Sequence, residues 1–180
     1  MTTLYQAAVR NFDAAAAMLA TFGAERFDLK KDLQGTKAGS ARSIQMQGFQ
    51  ALGPRFGICL PSDIGALVTP SDQAITVISR THADWMTIEL GGPSLAAAGT
   101  CYIEADLRGG SDLVADVFLR DMTGDQPSDG PVTEWHLNPE LTLLRLPLPV
   151  TGGDVQRRLI VQLRHPPQEL QINRFAVTLI

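Results

Sequence analysis

A chain of 180 residues, 44% of them hydrophobic and 19% charged, has the length for one packed domain and too much apolar content to stay disordered. A net charge of −4 with scattered basic residues lacks the electrostatic footprint of a nucleic-acid binder. No segment has the run of about 20 apolar residues that a membrane-spanning helix needs, and the first residues, interrupted by Arg10, Asn11 and Asp13, do not read as a secretory leader.

From Thr3 to Phe22 apolar residues recur at Leu4, Ala8, Phe12, Ala15, Leu19 and Phe22, the spacing of one amphipathic helix, and Gly23 supplies its stop. Residues 1–23 are therefore expected to form a helix or arm. Its stripe of Leu4, Phe12, Leu19 and Phe22 needs a surface to cover it, on the chain's own sheets or on a partner or sister subunit. Residues 24–42, mixed and charged with GTKAGS near their end, read as a linker or irregular segment. GTKAGS does not have the spacing of a phosphate-binding loop.

After Ser40 the period changes to two. Short alternating runs follow at 43–47, 55–60, 74–81, 84–90, 101–108, 113–120, 132–137, 141–148, 157–163 and 169–180, most of them bounded by Gly, Pro, Asp or Asn. Many short strands without intervening helices predict a mainly β fold. The form expected for 43–180 is an antiparallel jelly-roll-type β-sandwich, with the one N-terminal amphipathic α-helix outside it. In the last run the inward set shifts from Leu170 and Ile172 to Phe175, Val177 and Leu179, which predicts a bulge at Asn173 or Arg174.

The stretch CYIEADLRGGSDLVADVFLRD concentrates carboxylates. Alternation puts Cys101, Ile103, Ala105 and Leu107 on the core face and Tyr102, Glu104, Asp106 and Arg108 on the other. In the next run Asp116, Phe118 and Arg120 point outward. Direct pairing of the two runs would set Glu104 opposite Asp116 and Tyr102 opposite Phe118, an unfavourable meeting of like charges. Placing the runs in different sheets removes that conflict.

Two readings follow: a solvated face with arginine counter-charges, or a glycan-binding or interface patch of Trp85, Tyr102, Glu104, Asp116 and Phe118. Trp85 joins it because Met86, Ile88 and Leu90 take the core face and leave Trp85 among polar neighbours, where an aromatic can stack on a sugar ring or anchor a protein contact. Trp135 falls on the apolar side of its run. Asp121, Asp125 and Asp129 are oxygen donors for a possible calcium site, and equally ordinary turn formers.

Cys59 and Cys101 sit in apolar runs and read as buried thiols. His82, His136 and His165 have no ligand spacing, and no nucleophile, cofactor or dinucleotide motif occurs, so no catalysis is expected. Cytoplasmic synthesis without a signal peptide is expected, and is compatible with later release in a particle.

On the order of these strands, the acidic loop and the outward aromatics Trp85, Tyr102 and Phe118, residues 74–180 resemble the β-sandwich of carbohydrate-binding modules and related lectin-like jelly rolls. The resemblance implies a non-catalytic module that recognises a glycan or cell surface, with a glycan or protein as partner. Sandwiches of this shape also serve as decoration, spike or adaptor subunits of virus- or phage-like particles, which would imply a homo-oligomer or larger assembly.

Overall fold

The computed structural model describes residues 4–21, 25–34, 43–110, 112–122, 126–149 and 156–180. In chain order its elements are α1 (Leu4–Thr21), β1 (Glu25–Asp28), α2 (Leu29–Gln34), β2 (Ile44–Gln47), β3 (Phe49–Ala51) and β4 (Phe56–Cys59). There follow β5 (Gly65–Pro70), β6 (Ile75–Ser79), β7 (Trp85–Gly91), α3 (Ser94–Ala97), β8 (Thr100–Arg108) and β9 (Leu113–Asp121). The last are β10 (Ser128–Asp129), β11 (Thr133–Leu137), β12 (Thr142–Pro147), β13 (Arg157–Arg164) and β14 (Glu169–Leu179).

Two antiparallel sheets form a sandwich. The first runs β12-β8-β14-β6-β5-β2, with β1 also on β14; the second runs β10-β9-β13-β7-β4-β3, with β11 also on β9. From β7 to β9, and again from β11 to β14, every successive strand changes sheet, the crossing pattern of a jelly roll. Alternation supplies the core: Cys101, Ile103, Ala105, Phe175 and Val177 of the first sheet meet Ile88, Leu90, Val117, Val161 and Leu163 of the second, all buried. Phe56 and Phe175 meet edge to face across the layers, with centroids 6.0 Å apart.

β8 and β9 lie in different sheets, the arrangement that removes the like-charge conflict, so Glu104 and Asp116 never face each other; Asp116 pairs with Glu134 and Gln162. The segment read as a linker over 24–42 is, in its described part, built into the sandwich. Glu25–Asp28 pairs with Ala176–Leu179, and Leu29 and Leu33 are buried in the core at 0% and 2% exposure. Asp28 ends the strand and caps the helix, its Oδ1 accepting from the backbone N–H of Lys30 at 3.0 Å and Lys31 at 3.2 Å. A six-residue helix carrying only two leucines is too short for its period to show.

The register of β14 against β8 shifts between Ile172 and Arg174, at the place where the alternation broke. Trp135 is buried. Cys101 is buried as expected, but Cys59 is only half-buried because it takes the outward position of β4.

Candidate functional site

A single glycine begins the site. Gly48, at φ +68°, joins β2 of the first sheet to β3 of the second, a conformation that side chains rarely adopt. The turn delivers Phe49 to the outer face of the second sheet, opposite Cys59. There the ring leans over Gly57: a Cβ at that position would lie 2.5 Å from two ring carbons. The ring stays 48% exposed, with the Arg158 guanidinium 4.9 Å from its centroid.

Across the sheet, Gly57 pairs with Glu89 and Glu89 with Ile160, which pairs with Phe118. Glu89, 7% exposed, is held at both oxygens: Thr87 Oγ1 donates to Oε1 at 2.9 Å and Arg158 Nη1 to Oε2 at 2.8 Å. Pairing and hydrogen bonding of this kind make a buried carboxylate tolerable. The neighbouring Cys59 thiol is pushed above its ordinary range by burial and, to a smaller extent, by the Glu89 charge.

Phe49, Glu89 and Arg158 open onto a cleft of about 880 Å³ at the Gly91 end of this face. The turn at Pro54 and Arg55 forms one wall, Ala96 and Ala97 of α3 another, and Met122 and Gln156 close the far side. Asp32 of α2 shapes the first wall by accepting from the backbone N–H of Arg55 and of Phe56, both at 3.0 Å. An exposed aromatic ring beside a fixed carboxylate and guanidinium in a concavity offers an apolar plane and oriented hydrogen-bonding groups to one small polar ring.

The residues singled out from sequence divide between opposite sides of the sandwich. Trp85, Asp116 and Phe118 lie on the same outer face as the cleft, whereas Tyr102 and Glu104 lie on the outer face of the first sheet. Trp85 is half-buried at the far end of β7, paired with Arg164. Phe118 is no platform: it is 5% exposed, with Arg120 5.5 Å above its ring. Asp116 accepts from Arg164 Nε at 2.8 Å, and that bond holds its carboxyl below the ordinary carboxylate range. Glu104 accepts from Arg26 at 3.1 Å and pairs with Arg174 at 2.9 Å.

Of the calcium candidates, Asp121 accepts from Arg157 at 2.7 Å and Asp129 from Arg120 at 2.6 and 2.9 Å, while Asp125 lies outside the described residues. Arg120 accordingly holds the Asp129 carboxyl below its ordinary range. Among the described residues no three such ligands converge. On the helix, Phe12 is half-buried; Phe22 and the side chains of Leu4 and Leu19 lie outside the described residues.

Phe49, Glu89 and Arg158 escaped the sequence reading. Their only signal was Phe49 followed at short range by Gly57, an aromatic covering a strand glycine. β3 has three residues, too few for alternation to mark it as a strand.

No protein-family model matches the sequence, and no curated protein matches it. Solved structures that resemble the chain include a carbohydrate-binding module of the β-sandwich superfamily, at TM-score 0.45 and 10% identity, covering 74% of this chain and 55% of that one. The C-terminal family 22 carbohydrate-binding module of Clostridium thermocellum Xyn10B resembles it at TM-score 0.43 and 14% identity, covering 70% and 86%. A family 29 module from Piromyces equi does so at 0.41 and 12%, covering 77% and 91%.

Proposed function

We propose that the chain is a non-catalytic module that binds a glycan in the cleft at the Gly91 end of the second sheet. The observation that carries this is Phe49: a half-exposed ring leaning over a glycine and flanked by Arg158, at the mouth of a concavity whose polar groups are already oriented. Burying such a ring against the C–H face of a sugar removes apolar surface from water. The Glu89–Arg158 pair presents acceptor and donor to the hydroxyl edge without having to order itself on binding.

Glu89 is the one carboxylate among the described residues lining the cleft. Glycoside hydrolysis ordinarily uses two, roughly 5–10 Å apart across the scissile bond. The lining therefore favours binding over turnover.

Affinity electrophoresis through gels containing a panel of plant, fungal and bacterial polysaccharides tests the reading. Retardation by at least one polymer, lost in Phe49→Ala while the circular dichroism stays unchanged, is the expected result. Unretarded migration through every polymer, together with a stable oligomer in light scattering, would replace glycan binding by an assembly role.

A further inference from the structure

We infer that the cleft selects an acidic sugar, one bearing a carboxylate, with Arg55 and Arg158 as the selecting residues; this rests on the glycan-binding reading above. Among the described residues three arginines, Arg55, Arg157 and Arg158, and one carboxylate, Glu89, line the cleft, although the whole chain carries a net charge of −4. Arg157 is turned away from this role. It is buried at 4% exposure, donating to Asp121 at 2.7 Å and to the carbonyl of Pro149.

Arg158 offers Nη1 to Glu89, and its Nε and Nη2 have no protein acceptor among the described residues. Arg55 pairs with no carboxylate among the described residues, because nearby Asp32 accepts from backbone N–H groups. Yet neither side chain is loose. The Arg55 guanidinium sits 4.6 Å from the Phe27 ring centroid and the Arg158 guanidinium 4.9 Å from that of Phe49, while the Arg55 backbone carbonyl accepts from the Gly91 N–H at 2.9 Å. Gly91 is the register partner of Arg158, so one glycine separates the two arginines at the cleft.

Two guanidinium groups, each lying against an aromatic ring and each with N–H donors that no described residue uses, have the planar donor geometry that a carboxylate takes up. Arg158 is already paired with Glu89, so a neutral sugar would leave the Arg55 charge beside the cleft partly desolvated without a carboxylate of its own. The sugar ring would lie along Phe49 and its carboxylate would reach the arginines. Attraction of this kind weakens as salt screens it.

The test uses the full chain in affinity electrophoresis through three gels: a polyuronate, the same polymer with its carboxyl groups reduced to alcohols, and dextran sulfate. Retardation by the polyuronate is expected, falling roughly tenfold in Arg55→Gln and Arg158→Gln and falling with added salt, and unchanged in Arg145→Gln on the opposite sheet. Equal retardation by the polyuronate and its reduced form would overturn the inference and leave glycan binding standing. Equal retardation by dextran sulfate would also overturn it, reducing the arginines to a general anion surface. No retardation by any of these or by the wider polysaccharide panel would remove both.

Discussion

Phe49 can lean over the sheet because residue 57 has no side chain, and Gly57→Ala therefore probes the site without touching a polar group. Its Cβ would stand 2.5 Å from the ring edge, but that ring is 48% exposed and free to swing outward. Polysaccharide retardation should fall while the melting temperature changes by only a few degrees, read by affinity electrophoresis and calorimetry. The cysteines make a second check at this scale. Cys101 is fully buried with its thiol pushed up to about 12 by burial, whereas Cys59 is half-buried and its thiol only raised. Thiol titration at pH 8 should find Cys59 alone reacting, slowly, in the native protein, and both reacting fast in denaturant. Two fast thiols in the native protein would contradict the burial of Cys101 on the core face of β8.

At the scale of elements, the bulge in β14 decides what the outer face of the first sheet can hold. It brings Asn173 to Asp106 at 3.2 Å and Arg174 to Glu104 and to Asp13 of α1, at 2.9 and 2.5 Å. Burial lowers the Arg174 charge affinity, yet Asp13 and Glu104 more than offset it and leave that guanidinium above its ordinary range. Glu104 thus ties β1, β8 and β14 together from a site 4% exposed. Glu104→Gln should cost about 3 kcal/mol in denaturant unfolding, because Arg26 and Arg174 are left facing a neutral amide, and it should leave polysaccharide retardation intact.

The opposite edge responds to acid. Arg164 bonds hold Asp116 and Glu134 below their ordinary range, His136 adds to the effect on Glu134, and Arg120 does the same for Asp129. Carboxylates depressed on folding contribute stability that is fully present above their unfolded values, about 4, and that is lost as pH falls through the lower folded ones. Stability measured between pH 5 and 2 should fall, and fall less steeply in Arg164→Gln or in high salt. These pairs are exposed, so the limb is shallow.

For the whole molecule, the first 34 residues divide at the end of α1. The exposed side of α1 carries Arg10, Asn11 and Ala14, and its dock includes the exposed Asp13–Arg174 pair, which is worth little. Beyond it, Leu29 and Leu33 belong to the common core. A chain lacking residues 1–21 should keep the β-type circular dichroism and cooperative unfolding of the full protein. Leu29→Ala, a change of three carbons in a segment that read as a linker, should cost about 3 kcal/mol by denaturant unfolding. If the truncation unfolded and Leu29→Ala were neutral, the sandwich would have to be closed by α1 and not by α2.

The alternation of β7, β8, β9, β13 and β14 is a local property, since side chains two apart share a face wherever the strand lies. From it came the sandwich class, the inward sets, the outward Trp85 and the break at Asn173, all from sequence alone. Which sheet a strand joins is not local. The separation of Glu104 from Asp116, the division of Tyr102 from Trp85, and the meeting of Phe49, Glu89 and Arg158 depend on pairings such as β4 with β7, β7 with β13 and β8 with β14, between strands about 30 to 70 residues apart. Those pairings come from closing two sheets over one core, where all strands bury their apolar faces together. No short window of sequence contains that competition, and so the layout of the cleft belongs to the tertiary structure.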